Sequence, residues 1–346
     1  GEIYRQILKK DPANADALNL LGVALHQVRD LDTAEQLLRR AVGHAADFAP
    51  AWVNLGNVLQ DAGKAAEAAE AFSRALELQP KLAEAESNLA SALNDMGRHG
   101  EAAEAARRAL DINPSLAPAL NNLGDALMKL QVPVAAAEQF RKARDLRPDD
   151  PKYHRNLGSA LLEAGDAAGA VPALAAAVRL LPSDAEANYN LGNAYLALDR
   201  FEDGARAFET AIVHRPHYVD ALCNLGTLLT AFGRTSDAVA ALEKALAVDS
   251  ENPDAHWNLG LALIQAGEYA DGWREYEWRF RVDEFEKFRR HFDIPAWDGG
   301  PLNGKRLLVH AEQGFGDAIQ FVRFMPSLAE RGAEVVLECR PQLTRL

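Results

Sequence analysis

The sequence predicts an all-α fold: a solenoid of eight stacked helix pairs, led by a partial repeat and followed by a short α/β segment. Three observations carry that expectation. A small residue recurs every 34 positions, at Gly22, Gly56, Ala90, Gly124, Gly158, Gly192, Gly226 and Gly260, with no insertion. A fixed period of this length marks a stacked-repeat architecture. Two apolar stripes keep the same period, and proline closes many repeats, at Pro80, Pro114, Pro148, Pro182 and Pro216.

With the small residue numbered position 8, the stripes define two helices per repeat. Position 4 holds Leu18, Trp52, Glu86, Leu120, His154, Asn188, Leu222 and His256, and position 11 is Leu in every repeat except at Tyr195. Positions 4, 7, 8 and 11 fall on one stripe of a helix turning about 100° per residue. Positions 20, 24 and 27 form a second stripe: Ala or Gly at 20, residues such as Leu38, Phe72 and Phe140 at 24, and Ala at 27 until Arg279. Glycines such as Gly97, Gly165, Gly233 and Gly267 separate helix A from helix B, and each closing proline stops helix B. Gly or Ala at positions 8 and 20 lets the two helices approach closely. One pair cannot bury both of its faces, so neighbours must stack. Residues 1–12 read as helix B of an earlier repeat, with Tyr4 at position 24 and Pro12 at position 32, so the chain is expected to begin inside a repeat.

This pattern resembles the tetratricopeptide repeat over residues 1–284. The resemblance implies a right-handed superhelix that binds peptides or proteins along its concave, helix-A side. Position 6 is Asn54, Asn88, Asn122, Asn156, Asn190, Asn224 and Asn258, and departs only at Leu20. Asn is a poor residue for a helix interior. Seven in register form a ladder of amides, each offering donors and an acceptor to the backbone of an extended peptide. The competing reading is that Asn-Leu-Gly is the repeat's preferred spelling, with the amide solvated or bonded locally. Position 2 carries Asp16, Glu84, Glu186, Asp220 and Asp254 against Lys152, so the groove edge is mostly acidic. Repeat eight ends in an aromatic helix holding Trp273, Tyr276, Trp278 and Phe280, which suits a cap against something other than another repeat.

Composition bounds the partners. The formal net charge is −13, and residues 285–346 carry nine basic and eight acidic groups, so the negative charge lies on the solenoid. Phosphate backbones are repelled by such a surface, which argues against nucleic acid. No apolar run reaches membrane-span length. Cys223 and Cys339 are the only cysteines, which excludes a disulfide framework and points to a reducing, cytoplasmic setting. His214 and His217 have no third ligand nearby, so neither a metal nor a cofactor is expected.

Residues 285–304 are turn-rich and read as a linker, with Trp297 expected to plug the junction it spans. Residues 305–311 form an apolar strand run, a glycine-containing loop follows, and a helix from about Asp317, restarted near Pro326, leads to a second strand over 334–339. Strand, helix, strand in this span is a parallel β-α-β unit. The two strands need cover, so the segment is expected to lean on Trp273, Tyr276 and Trp278, or on another molecule. The loop lacks the third glycine of a dinucleotide fingerprint. Trp297, Gly299, Gln313-Gly314-Phe315-Gly316-Asp317 and Gln320-Phe321-Val322-Arg323 together resemble the opening of heptosyltransferase-like glycosyltransferases, found after the repeats in some bacterial tetratricopeptide proteins. That resemblance implies that Gly314 and Gly316 shape an acceptor loop. It also implies that Asp317 is the base of the intact parent, with the sugar nucleotide held by a second domain. A helix cap is the competing role for Asp317. Two functions follow as expectations: a substrate-recruiting arm of a glycosyltransferase, incomplete over 305–346 and so without activity of its own, or a non-enzymatic scaffold.

Overall fold

A computed structural model describes residues 2–282, 292–311 and 314–343, and it falls into two compact units, Gly1–Leu228 and Leu229–Leu346. In the first unit, helix Glu2–Lys10 precedes six helix pairs. Their A helices are Ala15–Gln27, Ala49–Asp61, Ala83–Asp95, Ala117–Lys129, Pro151–Glu163 and Ala185–Leu196. Their B helices are Leu31–His44, Ala65–Leu78, His99–Ile112, Pro133–Leu146, Ala167–Leu180 and Phe201–His214. Tyr4 packs against the core from the leading helix, as its position-24 register predicts. Helix A of repeat seven, Val219–Ala231, runs through the point of division.

The contact between helices A and B explains the period. A Cβ added to Gly124 meets the ring of Phe140 at 2.5 Å, and Gly56 and Gly192 stand in the same relation to Phe72 and Phe208. Gly22 and Gly158 are covered by Leu38 and Leu174. Position 8 is therefore small because position 24 lies on it. Repeat three exchanges the volumes: Ala90 takes the extra methyl and Ala106 gives up the ring, with both fully buried. Burying a Leu or Phe side chain contributes about 1.5–3 kcal/mol. Phe72, Phe140, Phe208, Leu38 and Leu174 supply that term once per pair.

Position 15 turns the chain from helix A to helix B with a left-handed backbone. Gly63, Gly97, Gly165, Gly233 and Gly267 have φ between 73° and 88°. Arg29, Gln131 and Asp199 adopt the same turn at φ 64°, 61° and 56° without being glycine. The sequence reading found the glycines and missed these three, because nothing in their residue types signals the turn.

Position 4 is buried yet polar in several repeats, and the structure gives the reason. The side chains of Trp52, His154 and Asn188 each bond the carbonyl six residues back, at Ala46, Pro148 and Pro182, over 3.0, 2.7 and 3.1 Å. Each thereby fastens its helix A to the carbonyl just beyond the preceding helix B. Glu86 is satisfied differently, by both guanidinium nitrogens of Arg108 at 2.8 and 2.9 Å.

In the second unit, helix Thr235–Val248 is followed by the pair Pro253–Ala266 and Tyr269–Tyr276, then a 3₁₀ turn over Glu277–Arg281. Strands β1 (Arg306–His310) and β2 (Glu334–Glu338) pair in parallel, from Arg306 opposite Glu334 to His310 opposite Glu338. Between them lie helices Phe315–Phe321 and Met325–Glu330, joined by a 3₁₀ turn. Gly332, at φ 85°, turns the second helix into β2. The expected β-α-β unit is present, and its helix begins at Phe315 rather than at Asp317.

Candidate functional site

The polar side of the A helices is not a row of free amides. In the first unit, Nδ2 of Asn54 donates to Oδ1 of Asn19 at 2.8 Å, and Nδ2 of Asn88 to Oδ1 of Asn57 at 2.8 Å. Nδ2 of Asn122 donates to the backbone carbonyl of Ser87 at 2.8 Å. Nδ2 of Asn156 donates to Oδ1 of Asn121 at 2.8 Å, and Nδ2 of Asn224 to Oδ1 of Asn193 at 3.0 Å. Every acceptor sits in the preceding repeat, at position 5 or position 9. The rung side chains are half-buried, and three of their partners, Asn19, Ser87 and Asn121, are buried. Three of the rungs thus satisfy a polar group that packing has removed from water, worth about 0.5–1.5 kcal/mol each. Asn190 is the exception in this unit. Repeat five offers Arg155 at position 5, a donor only, and the Asn190 side chain makes no hydrogen bond among the described residues.

Around the central rungs the charges are paired. Asn121 donates onward to Oδ2 of Asp125 at 2.7 Å. Burial pushes the Asp125 carboxyl above the usual carboxylate range, against the pull of Lys152, the Asn121 hydrogen bond, Arg155 and Lys129. Arg155 reaches Asp184 at 3.0 Å and Glu186 at 3.5 Å. Further along, His26 and Arg29 both meet Asp61, at 2.9 and 2.8 Å, and Gln60 donates to Ser91 at 2.7 Å. The expected edge charges Asp16, Glu84, Lys152, Glu186 and Asp220 are exposed at position 2.

In the second unit Asn258 makes no side-chain hydrogen bond among the described residues. The α/β segment does lean on the aromatic helix. Together they line an open cavity of about 960 Å³, with Ile264, Trp273 and Tyr276 on one side and Val309, Phe321 and Leu337 on the other. Trp273 meets Phe321 edge-on at 6.5 Å. Trp278 departs from the expectation: it stacks on His256 at 3.8 Å, because position 4 of this repeat offers an aromatic ring. Trp297 is 36% exposed, its Nε1 donates to Gly300 within its own turn, and the Arg331 guanidinium lies 6.0 Å from its ring centre. Gly314 precedes the first helical residue, just beyond the carboxyl end of β1, and Gly316 lies in the first turn. Asp317 occupies the third helical position, not the capping one, and its side chain lies outside the described residues, as do Glu312 and Gln313.

Family models of the tetratricopeptide repeat match residues 47–115, residues 161–225, and residues 2–50 with 121–185. A further TPR repeat model matches residues 228–267. The repeats are tetratricopeptide repeats. FlbA of Caulobacter vibrioides is 40% identical over 63 residues, which is 18% of this chain and 10% of that protein. Tetratricopeptide repeat protein 7B of Mus musculus is 37% identical over 76 residues, 22% of this chain and 9% of that protein. The matches span a tenth or less of the length of these curated relatives. Among solved structures, the APC/C hetero-tetramer Cut9–Hcn1 aligns with a TM-score of 0.60 at 22% identity, over 76% of this chain and 52% of that one. At that identity the likeness is one of fold.

What the sequence reading missed in the tetratricopeptide solenoid is the partner of each Asn. The signal was there: a rung bonds wherever the preceding repeat has Asn or Ser at position 5, or Asn at position 9. Reading position 6 alone could not reveal it. Among the described residues no helix is long and apolar enough to cross a membrane.

Proposed function

We propose that the helix-A side of the first unit binds an extended peptide segment of a partner protein. Tetratricopeptide solenoids are scaffolds typical of protein–protein interaction. The observation that carries the finer reading is the state of the central rungs. Their amides are tethered at one end and open to solvent at the other, on helices packed through the Gly124–Phe140 and Gly158–Leu174 contacts. A pre-organised polar row binds with little ordering cost. The experiment uses a phage-displayed library of 12-residue peptides, with fluorescence anisotropy on the peptides it yields. Asn190→Ala is the clean variant, because it breaks no internal bond. It is expected to weaken binding about threefold to tenfold, the worth of one hydrogen bond, with no loss of Tm. An unchanged Kd in Asn190→Ala, and in Asn122→Ala as well, returns these residues to a purely internal role.

For the intact protein we propose the glycosyltransferase-arm reading over the bare scaffold. Its support is the parallel β1–β2 pair, with Gly314 opening a helix beyond the carboxyl end of β1. Ligands in open α/β sheets bind beyond those strand ends. The measurement is acceptor-dependent turnover of sugar nucleotides by the intact parent, with and without Asp317→Asn. Loss of turnover at unchanged Tm supports Asp317 as the base. Absence of any turnover in the parent favours the scaffold.

A further inference from the structure

Resting on the peptide-binding reading, we infer that the central rungs present the carbonyl end of their amides. The face therefore selects a polyproline-II-like peptide with an N–H at every third residue.

The orientation of Asn122 follows from its partner. The Ser87 carbonyl can only accept, so Nδ2 must face it, and flipping the amide would set oxygen against oxygen. Asn156 is fixed one step removed. Asp125 accepts from Nδ2 of Asn121, which turns Oδ1 of Asn121 toward Nδ2 of Asn156. In both rungs Oδ1 is left on the far side. Among the described residues neither oxygen has a hydrogen-bond partner, and neither is sealed from solvent. An extended ligand lying along this row meets acceptors at the centre, and its complementary group is the backbone N–H. Asn190, with no bond at either end of its amide, accepts or donates as the ligand requires.

The spacing selects the conformation. Each central rung hydrogen-bonds to the preceding A helix, and packed helices lie about 8–10 Å apart. A polyproline II chain rises about 3.1 Å per residue with three residues per turn. One turn, about 9 Å, therefore returns the same face of the peptide to each successive repeat. A β-strand covers a similar distance in three residues but alternates sides at every residue. Its third N–H would point away from the next rung. Proline lacks the N–H and is excluded at the register positions, while at the two positions between them it favours the bound conformation.

The test takes the tightest peptide from the 12-residue library and synthesises N-methyl analogues at each position in turn. Binding to the wild-type chain is measured by anisotropy. Register positions i, i+3 and i+6 are expected to lose about threefold to tenfold in Kd, and the others less than about twofold. In Asn122→Ala, sensitivity at one register position should disappear while the others remain. Selected peptides whose N-methyl losses are uniform, or repeat every two residues, overturn this inference and leave peptide binding standing. If no peptide is selected, the binding reading falls and this one with it.

Discussion

In repeat four, Gly124 lies under the ring of Phe140; in repeat eight, Gly260 lies under the backbone of Tyr276, whose nitrogen would sit 2.6 Å from an added Cβ. The same register continues to diverge. Position 21 is Ala137, buried, in one and Trp273, 45% exposed, in the other. Position 27 is Ala143, fully buried, in one and Arg279 in the other, where the guanidinium lies 3.9 Å from the Phe280 ring centre. Position 6 is Asn122, bonded to Ser87, against Asn258, bonded to nothing among the described residues. A period of small residues therefore specifies the backbone of a helix pair and little more. The volumes at positions 21, 24 and 27 decide whether the second helix closes on its own solenoid or offers an aromatic wall to another segment.

The largest effects should come from the two close contacts, each a glycine and the residue that covers it. Gly260→Ala meets the backbone of the facing helix, Tyr276 N at 2.6 Å and the Gly272 carbonyl at 2.9 Å, and backbone cannot rotate away. It is expected to cost about 3 kcal/mol, at the upper end for overpacking, and Gly124→Ala about 1 kcal/mol, because the Phe140 ring can shift. Repeat three shows the relief: Gly124→Ala with Phe140→Ala recreates its Ala90–Ala106 pair. Phe140→Ala alone should cost about 3–5 kcal/mol, and the double variant less than the sum. Urea unfolding of the four variants measures this. Equal costs at Gly124 and Gly260, or strict additivity of the pair, would break the comparison.

Next in size are the rungs. Asn156→Ala leaves Asn121 Oδ1 without its donor, at a cost of about 1–3 kcal/mol, and Asn122→Ala removes the bond to Ser87, whose carbonyl keeps its helical donor, at about 0.5–1.5 kcal/mol. Asn190→Ala removes no bond, and the gain in helix propensity is about 0.5 kcal/mol. Thermal melts should rank Asn190→Ala above wild type, with the other two below it. A destabilised Asn190→Ala would reveal a bonded rung and remove the distinction.

The fold was legible because it rests on residues whose chemistry is unambiguous. Glycine at position 8 means close approach, proline at 32 means an end, and the strand-glycine-helix order after residue 305 means a β-α-β unit. The candidate site was legible only by half. Position 6 announced itself by repetition, whereas its partners alternate between positions 5 and 9 and between Asn and Ser, so no single column shows them. The polar members of position 4 were likewise opaque, since Trp52, His154 and Asn188 share no chemistry except an N–H that reaches six residues back. The left-handed turns at Arg29, Gln131 and Asp199 gave no signal at all.

Those three turns supply the next prediction. A non-glycine residue in the left-handed region costs about 1–2 kcal/mol, and glycine gives back part of that through its looser unfolded chain. Arg29→Gly, Gln131→Gly and Asp199→Gly are each expected to stabilise by about 0.5–1 kcal/mol. Gly63→Ala, Gly97→Ala and Gly165→Ala should destabilise by about the same amount, although nothing lies within 4 Å of the added methyl. Denaturant midpoints decide it. A Gln131→Gly chain less stable than wild type would show that side-chain contacts outweigh the backbone term.

The smallest effect at neutral pH, where it is zero, separates the aromatic residues of the first unit from those of repeat eight. Tyr189 packs against Phe208 at 5.8 Å and Tyr218 at 4.8 Å. Burial raises the Tyr218 hydroxyl to about 12, helped by Tyr189, Glu186 and Asp220 and opposed by Arg215, whose guanidinium lies 4.7 Å from the ring centre. The folded value lies above the ordinary tyrosine value of 10.0, so the unfolded chain releases its proton first. The stability tied to the neutral hydroxyl is complete below that lower value and is lost as pH rises from it towards about 12. Tyr218→Phe removes the titrating group and leaves the ring against Tyr189. Its Tm should keep a constant offset from wild type up to pH 10.0 and then gain on it steadily as the wild type ionises. The same measurement on Trp273→Phe in repeat eight should show no such window, since an indole does not titrate there. A Tyr218→Phe offset that stays flat through the alkaline range would place the hydroxyl in water and dissolve the contrast between the two aromatic groups.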